Sequence, residues 1–254
     1  MIITVKDKNI CESCLNKTCS FVDAVVKHDF FDIRTETTVC PTGVLIDGPD
    51  LDADSISGNE NCVHCGICVK SCCQQNISGS ISEGEECDYS KLTEPQLNAI
   101  AGTYLNRIIG FAANTNRNKA MMFDGYAVHR MGIRMFVEVD WNNDSLECTR
   151  RLLGDFLTNP SSVNIRTGIV ILQSLPKRGT HDVFDILEKL KTFPTTDDVC
   201  IYFSTFDVLR KLYLSLDNYD YSMDELFHNP LTENTTEYIS RINTCLLYTS
   251  PSPR

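Results

Sequence analysis

The residues of this chain best suited to chemistry are the cysteines between positions 62 and 73. The stretch reads Cys-Val-His-Cys-Gly-Ile-Cys-Val-Lys-Ser-Cys-Cys, with thiols at Cys62, Cys65, Cys68 and Cys72. Neither an amphipathic helix nor a strand has a reason to repeat cysteine at these intervals with a glycine between. The spacing is typical of cysteine runs that hold an iron–sulfur cluster. The run therefore predicts a metal centre.

A second group of cysteines precedes this run. Cys11 and Cys14 form a Cys-x-x-Cys pair, Cys19 follows one loop later, and Cys40 begins the segment Cys-Pro-Thr-Gly-Val-Leu. Nine of the 13 cysteines lie in these two groups. The segment Met1–Ile10 contains no apolar signal core or small-residue cleavage site. A reducing, cytoplasmic location and metal binding are therefore expected, and a disulfide scaffold is not.

Both groups resemble the cluster-binding motifs of bacterial two-cluster ferredoxins. The segment Cys40 to Leu45 is similar to the Cys-Pro-Thr-Gly-aliphatic end of one motif, and Cys62 to Cys73 is similar to the second motif. In that family the fourth cysteine of each motif binds the cluster of the other motif. The resemblance thus implies two [4Fe-4S] clusters in a ferredoxin-like domain. One would be held by Cys11, Cys14, Cys19 and Cys72, and the other by Cys62, Cys65, Cys68 and Cys40.

The chain departs from the family pattern in three places. Four residues separate Cys14 from Cys19, where the family has two. Twenty residues separate Cys19 from Cys40, where the family has three. Cys73 stands where the family has proline. The first two departures change the loop that would aim the thiols of the first cluster, and the third adds a thiol beside Cys72.

Zinc is the alternative to iron and sulfide. A structural zinc site usually combines two separated Cys-x-x-Cys pairs into a tetrahedron, and Cys11/Cys14 with Cys62/Cys65 would meet that requirement. Such a site leaves the other cysteines of the two groups without a role. The number of cysteines therefore favours iron–sulfur clusters.

Composition separates this cysteine-rich part from the rest of the chain. Of the 254 residues, 42% are hydrophobic and 22% are charged, which is ordinary for globular domains. Segment 79–92 is rich in serine, glycine and glutamate and contains the isolated Cys87. It is predicted to link an iron–sulfur domain at 1–78 to a second domain at 93–244. Residues 245–254 resemble the conceptual translation of a sequencing adapter and are expected to be a non-native tail.

The charge of the chain limits its partners. With 34 acidic and 23 basic residues, the formal net charge is -11. Nonspecific nucleic-acid binding is disfavoured, because it needs a basic surface that neutralises phosphates. Electron carriers dock through acidic surfaces, so a redox partner protein is expected. No apolar run of about 18 residues occurs, so no membrane span is expected.

The second domain is predicted to mix helices and strands. Thr93 and Gln96 fit a capping box that opens a helix, and its apolar stripe runs from Leu97 to Phe111. Strands are then predicted at 119–123, 125–129 and 133–139, a helix at 145–157, a strand at 168–173, a helix at 182–192, a strand at 199–204 and a helix at 206–214. This order is typical of an α/β domain, and the whole chain is predicted to be α+β.

The order of these elements and three carboxylates resemble the restriction-endonuclease-like fold of the PD-(D/E)xK nucleases. Asp124 lies near the end of an early strand, and Glu138 and Asp140 lie at the end of the next long strand. The resemblance implies that the three carboxylates hold Mg2+, which polarises a phosphate of a bound nucleic acid and activates water. Asp140 stands where the family has lysine, so a cation such as Lys177 would have to replace it. Without such a site, Asp124 is a turn residue, and Glu138 and Asp140 form a strand end that faces solvent.

Three functions follow from these patterns. The first is a cytoplasmic iron–sulfur protein that transfers or senses electrons for an attached α/β domain. The second is a metal-dependent nuclease whose clusters have a structural or regulatory role. The third is a binding module for an oxidoreductase. Measurements of iron, of acid-labile sulfide and of Mg2+-dependent cleavage separate them.

Overall fold

The structure is a computed structural model and divides into two compact units, Met1–Thr103 and Tyr104–Arg254. Both helices and strands are present, which confirms the α+β prediction. The described residues are 2–14, 40–45, 49–52, 54–72, 74–80, 87–109, 111–115, 123–127, 134–139, 145–158, 167–175, 181–192, 199–215 and 222–249. Among the predicted site residues, Cys19, Cys73, Asp140 and Lys177 lie outside them.

The first unit is organised around a two-stranded antiparallel sheet. Its regular elements are β1 (Ile2–Val5), α1 (Lys8–Glu12), a short 3-10 helix at Ile56–Gly58, α2 (Ile67–Ser71) and β2 (Ile77–Ser80). Strand β1 pairs with β2 so that Val5 lies opposite Ile77. Because α1 follows β1 and α2 precedes β2, this register brings Cys11 towards Cys72.

Helix α3 (Glu94–Ile109) begins where the sequence predicts. The backbone N–H of Thr93 donates to Gln96 Oε1 at 2.8 Å, which is one half of a capping box. The side-chain amide of Gln96 also donates to the carbonyl of Pro41 at 2.6 Å. The start of α3 is therefore tied to the loop that carries Cys40.

Replacing Gln96 with glutamate is expected to break this tie and to keep the cap. The new carboxylate still accepts from Thr93, but it cannot donate to the Pro41 carbonyl. We expect Gln96→Glu to lower the free energy of unfolding by about 1–2 kcal/mol, measured by urea denaturation. Gln74→Glu is the matched control, because Gln74 is an exposed glutamine of the same unit. Equal stabilities for the two variants would contradict the prediction.

The boundary between the units lies further along the chain than segment 79–92. Gly79 and Ser80 belong to β2, because they pair with Ile3 and Ile2 of β1. Residues 87–92 also belong to the first unit, and they include the buried Cys87 and a 3-10 helix at Tyr89–Lys91. The division falls between Thr103 and Tyr104, within α3.

The second unit contains a mixed sheet that, within the described residues, has five strands in the order β3-β4-β5-β6-β7. Its elements are β3 (Phe111–Thr115), β4 (Phe123–Ala127), β5 (Arg134–Val139), α4 (Ser145–Thr158), β6 (Thr167–Leu172), α5 (His181–Leu190), β7 (Cys200–Thr205), α6 (Phe206–Ser215), α7 (Met223–Leu226) and α8 (Thr235–Thr249). Strands β3, β4 and β5 are antiparallel neighbours, and β5, β6 and β7 are parallel. Parallel neighbours need a crossover, which α4 and α5 provide.

The sheet differs from the prediction at its first strand. Within the described residues its edge strand is β3, whose first residue, Phe111, the apolar pattern places in the preceding helix. Phe123 begins β4, although it was predicted to end a separate strand. Periodicity cannot separate the end of a helix from a short apolar strand. Here the pairing of Phe111 with Ala127 decides the outcome. From Ser145 onwards the predicted elements agree with the structure to within two residues.

One face of this sheet carries the core of the second unit. Side chains of β5, β6 and β7 pack there against α4 and α5, and the buried members are Phe136, Cys148, Leu152, Val170, Leu172, Val183, Leu187, Val199, Ile201 and Phe203.

At the end of the described chain, α8 continues to Thr249 and so includes the first residues of segment 245–254. Of the helices in the described ranges, none has the length and apolar character needed to cross a membrane.

Candidate metal centre

The loop from Cys62 to Cys68 turns through left-handed backbone conformations on both sides of Cys65. The φ angle is 59° at His64 and 76° at Gly66. Glycine takes this conformation at little cost, whereas it is uncommon for histidine. Tight turns of this kind aim successive N–H groups into concavities that bind anions and iron–sulfur clusters. The local backbone is therefore suited to the chemistry that the cysteine spacing predicts.

Four thiols line one pocket at this loop. They are those of Cys40, Cys62, Cys65 and Cys68, and the pocket is completed mainly by apolar side chains, among them Ile3, Leu45, Ile56 and Val63. Cys40 reaches the pocket although 21 residues separate it from Cys62 in the sequence. These four cysteines are the set expected for the second cluster.

Cys40 is presented by a tight turn. The N–H of Gly43 donates to the carbonyl of Cys40 at 3.0 Å, and Gly43 has a φ of 76°. The Cys40 thiol lies 3.4 Å from the hydroxyl of Thr42. Glycine is needed at position 43 because a side chain would strain this left-handed conformation. The Cys-Pro-Thr-Gly sequence thus builds the turn that carries the fourth thiol.

Burial favours the protonated form of two thiols in this pocket, those of Cys62 and Cys65. Burial raises the pKa of Cys62, the backbone of His64 opposes it through a hydrogen bond to the thiol, and Cys40 raises it further. Burial, followed by the nearby Cys87 and Cys68, raises the pKa of Cys65 well above its ordinary value. Buried thiols of this kind are protonated at neutral pH, and a metal must displace their protons to bind.

The remaining predicted ligands gather at a separate place in the same unit. The side-chain amide of Asn76 donates to Cys11 Sγ at 3.0 Å, and the backbone N–H of Asn76 donates to Cys72 Sγ at 3.3 Å. Burial raises the pKa of Cys11, the Asn76 hydrogen bond lowers it, and the nearby Cys72 and Cys14 raise it. Three of the four cysteines expected for the first cluster therefore lie near one another, while Cys19 is outside the described residues.

A zinc site would require Cys11 and Cys14 to meet Cys62 and Cys65. The structure groups these cysteines differently. Cys62 and Cys65 share their pocket with Cys40 and Cys68, while Cys11 lies with Cys72. In the described part of the chain, no group of three or more His, Cys, Asp or Glu side chains is arranged to hold a metal ion. A single zinc ion needs its sulfur ligands at about 2.3 Å.

Cys87 is a buried thiol that the sequence did not assign. It donates a hydrogen bond to the carbonyl of Val63, and it lies close enough to Cys65 to raise the pKa of that thiol. Cys87 does not line the pocket that contains Cys40. An isolated cysteine in a Ser/Gly/Glu segment carries no spacing signal, so only the fold could locate it next to the site.

The structure buries Glu138 and places Asp124 within a strand. Glu138 on β5 has a side-chain exposure of 1%, and its Oε1 lies 3.2 Å from Arg151 Nε on α4. Burial acts to lower the pKa of Arg151, but the Glu138 carboxylate together with Cys148 and Glu147 outweighs it, and the pKa is raised. Asp124 is in β4, opposite Phe136. The alternative with Asp124 in a turn and Glu138 facing solvent is therefore wrong.

A buried histidine lies near the end of the second unit. The backbone of His228 exchanges two hydrogen bonds with Phe203 of β7. The imidazole Nδ1 lies 3.6 Å from Glu233 Oε2, and the ring centroid lies 5.2 Å from that of Tyr238. Arg241 binds both carboxylate oxygens of Glu233 at 2.8 Å. Burial lowers the pKa of His228, although Glu233 acts in the opposite direction.

This lowered pKa predicts a pH dependence of stability. Below the ordinary imidazole pKa of about 6.5, the unfolded chain binds a proton that folded His228 resists. The free energy of unfolding should therefore fall as the pH drops below that value. In His228→Gln this part of the pH dependence should disappear, and urea denaturation at a series of pH values measures it. Parallel pH profiles for the two proteins would contradict the assignment.

Comparison of the chain with protein-family models, with curated proteins and with solved structures found no match.

Proposed function

We propose that this chain is an iron–sulfur protein that binds two [4Fe-4S] clusters in its first unit and transfers or senses electrons. The observation that carries the proposal is the pocket shared by Cys40, Cys62, Cys65 and Cys68. Closing the loop between Cys40 and Cys62 costs conformational entropy. That a thiol so distant in the sequence reaches this pocket supports a ligand shared by all four thiols. A family resemblance to two-cluster ferredoxins implies the same four residues.

The surroundings of the pocket support redox chemistry. When bound, the clusters supply one-electron exchange, and their potential depends on hydrogen bonds to sulfur and on access of water. Here Ile3, Leu45 and Val63 are buried apolar residues that keep water from the thiols. The backbone of His64 already provides a hydrogen bond to the thiol of Cys62. The protein would contribute thiolate ligands, an apolar lining and a backbone hydrogen-bond donor to sulfur.

The first cluster would be held by Cys11, Cys14, Cys19 and Cys72. Support comes from the proximity of Cys11 to both Cys14 and Cys72. Sheet pairing between β1 and β2 supplies the physical reason, because it joins the two segments on which these thiols lie. The first unit thus offers two groups of cysteines, each drawn from segments that are distant in the sequence.

An acidic surface on the same unit supports a protein partner for electron transfer. Asp50, Asp52, Asp54 and Glu60 are exposed, and the chain as a whole has a formal charge of -11. Complementary charge accelerates the encounter between proteins and orients them. The proposed partner is a redox protein with a basic face in the reducing cytoplasm.

Iron and acid-labile sulfide, counted per chain after anaerobic purification, test the proposal. We expect about eight of each, which corresponds to two four-iron clusters, and visible absorption that bleaches with dithionite. A content of about four would mean that only one site assembles. A colourless protein that contains zinc would contradict the proposal.

A metal-dependent nuclease is the second candidate function. It is favoured by the order of a helix, three antiparallel strands, a helix and a parallel strand, which the restriction-endonuclease-like resemblance implies. Asp124, Glu138 and Asp140 would hold Mg2+. Glu138 would first have to leave Arg151, its partner at 3.2 Å. Mg2+-dependent cleavage of single- and double-stranded DNA and RNA, abolished by Glu138→Ala and by Asp124→Ala, is the expected result. Absence of cleavage of all four substrates would contradict it.

A further inference from the structure

His64 has a backbone conformation that is uncommon for histidine. Its φ angle is 59°, and in the described part of the chain Gln75, at 50°, is the other non-glycine residue with a positive φ. Such conformations persist where the surrounding structure holds them in place. Glycine would adopt this conformation at lower cost. What histidine adds at this position is its side chain, and the contacts of that side chain indicate its purpose.

The imidazole of His64 reaches back to the short 3-10 helix at Ile56–Gly58. Its Nε2 lies 3.3 Å from the carbonyl oxygen of Ser57, seven positions earlier in the chain. A carbonyl oxygen only accepts hydrogen bonds, so Nε2 carries the hydrogen and donates it. This hydrogen bond closes the loop from Ser57 to His64 at the turn that leads into Cys65.

Ser57 is itself anchored to the first strand. Its hydroxyl oxygen accepts from the N–H of Ile3 at 3.0 Å, and Ile3 belongs to β1. Ile3 and Ile56 are buried, and both line the pocket that contains the four thiols. The imidazole of His64 therefore ties the cysteine turn to the elements that form the apolar side of the pocket.

The thiols on both sides of His64 depend on the conformation of this turn. The backbone of His64 provides a hydrogen bond to the thiol of Cys62. Cys65 follows His64 directly, is only 7% exposed and lines the same pocket as Cys62. A rotation of the backbone at His64 would withdraw the donor from Cys62 and turn Cys65 out of the pocket. The contact between the imidazole and Ser57 resists that rotation.

We propose that His64 is a positioning residue of the cysteine pocket, whose imidazole holds the turn closed and keeps the thiol of Cys65 buried. The inference deepens the proposed function and rests on it for the ligand that the pocket binds. The hydrogen bond between His64 and Ser57 involves no cluster, so the closed turn can be tested with or without one.

Three substitutions separate this hydrogen bond from the backbone conformation. His64→Asn introduces a residue that adopts a positive φ readily, but its side chain is too short to reach the Ser57 carbonyl. His64→Gln carries an amide donor at nearly the distance of Nε2 from the backbone, and glutamine has a positive φ at position 75. Gln75→Asn is the matched control, because Gln75 is exposed in the same unit and the same residue type is introduced at a positive φ.

Alkylation of the full chain by iodoacetamide, followed by peptide mass spectrometry, measures the accessibility of each thiol. We expect Cys65 to react about tenfold faster in His64→Asn than in the wild type, because losing one hydrogen bond shifts the opening equilibrium of the turn by about that factor. His64→Gln and Gln75→Asn should react at the wild-type rate. Cys72 is a buried cysteine of the same unit that does not line the pocket, and its rate should stay unchanged in every variant.

Equal rates at Cys65 in His64→Asn and in the wild type would overturn the inference. Fast alkylation of Cys65 in His64→Gln would overturn it too, because the donor is retained there. Equal acceleration of Cys65 and Cys72 would also overturn it, since that result means a general loosening of the unit. The proposed function fails by a different result, the absence of iron and sulfide from the wild type. That absence would remove the cluster as the ligand, but it would leave the role of His64 in closing the turn.

Discussion

If the proposed two clusters form, a chain in which Cys40 is replaced by alanine is expected to contain about four irons, where about eight are expected for the wild type. The thiol of Cys40 lines the pocket together with Cys62, Cys65 and Cys68, so its removal leaves three protein ligands for the second cluster. The proposed first cluster would not use Cys40 and should persist. Iron and sulfide analysis, with the amplitude of the visible absorption band, measures the loss.

Cys87→Ala is the matched control for that experiment. Cys87 is buried in the same unit and donates to the carbonyl of Val63, but it does not line the pocket. Its loss should cost about 1 kcal/mol of stability, the usual value for one hydrogen bond, and should leave the iron content unchanged. Full iron in Cys40→Ala, or an equal loss of iron in Cys87→Ala, would contradict the assignment of Cys40.

The second large effect is expected from Arg151→Met in the other unit. Without the guanidinium, Glu138 keeps a buried carboxylate that has lost its cationic partner at 3.2 Å. Breaking a buried ion pair costs about 3–5 kcal/mol. Because the Arg151 side chain is 40% exposed, water screens part of the interaction, and we expect a loss of about 2–3 kcal/mol. Urea denaturation measures the change in the free energy of unfolding.

A control substitution and the pH dependence of the stability loss test this explanation. Arg150→Met is the matched control, because Arg150 is exposed on the same helix, and it should change stability by less than about 0.5 kcal/mol. In Arg151→Met, burial should raise the pKa of Glu138 above its unfolded value. The deficit should therefore shrink as the pH falls towards the unfolded pKa and grow as the pH rises. A deficit that does not depend on pH would contradict the role of Glu138.

The cysteine grouping could be predicted because the spacing of ligands is a local property of the sequence. Left-handed turns at Gly43 and Gly66 are also predictable in kind, since glycine adopts this conformation readily. The meeting of Cys40 with Cys62 was expected only through the family resemblance. No pattern in the intervening residues shows where the chain returns.

Other features depend on contacts that a sequence pattern does not contain. Strand alternation predicts the face of β5 on which Glu138 lies. Only the packing of α4 shows that this face is buried. Asn76 belongs to no motif in the sequence, and its hydrogen bonds to Asp7 and Cys11 depend on the register between β1 and β2. The edge strand β3 was missed because its short apolar run also suits the end of a helix.

The pairing of β1 with β2 has a consequence for biosynthesis. Val5 pairs with Ile77, which is 72 residues later in the chain. At translation rates of about 5–20 residues per second, the first strand waits roughly 4–14 s for its partner. During that interval the thiols of Cys11 and Cys14 are open to oxygen and to other nascent chains. The two-stranded sheet of the first unit therefore forms only after residues 77–80 have been synthesised.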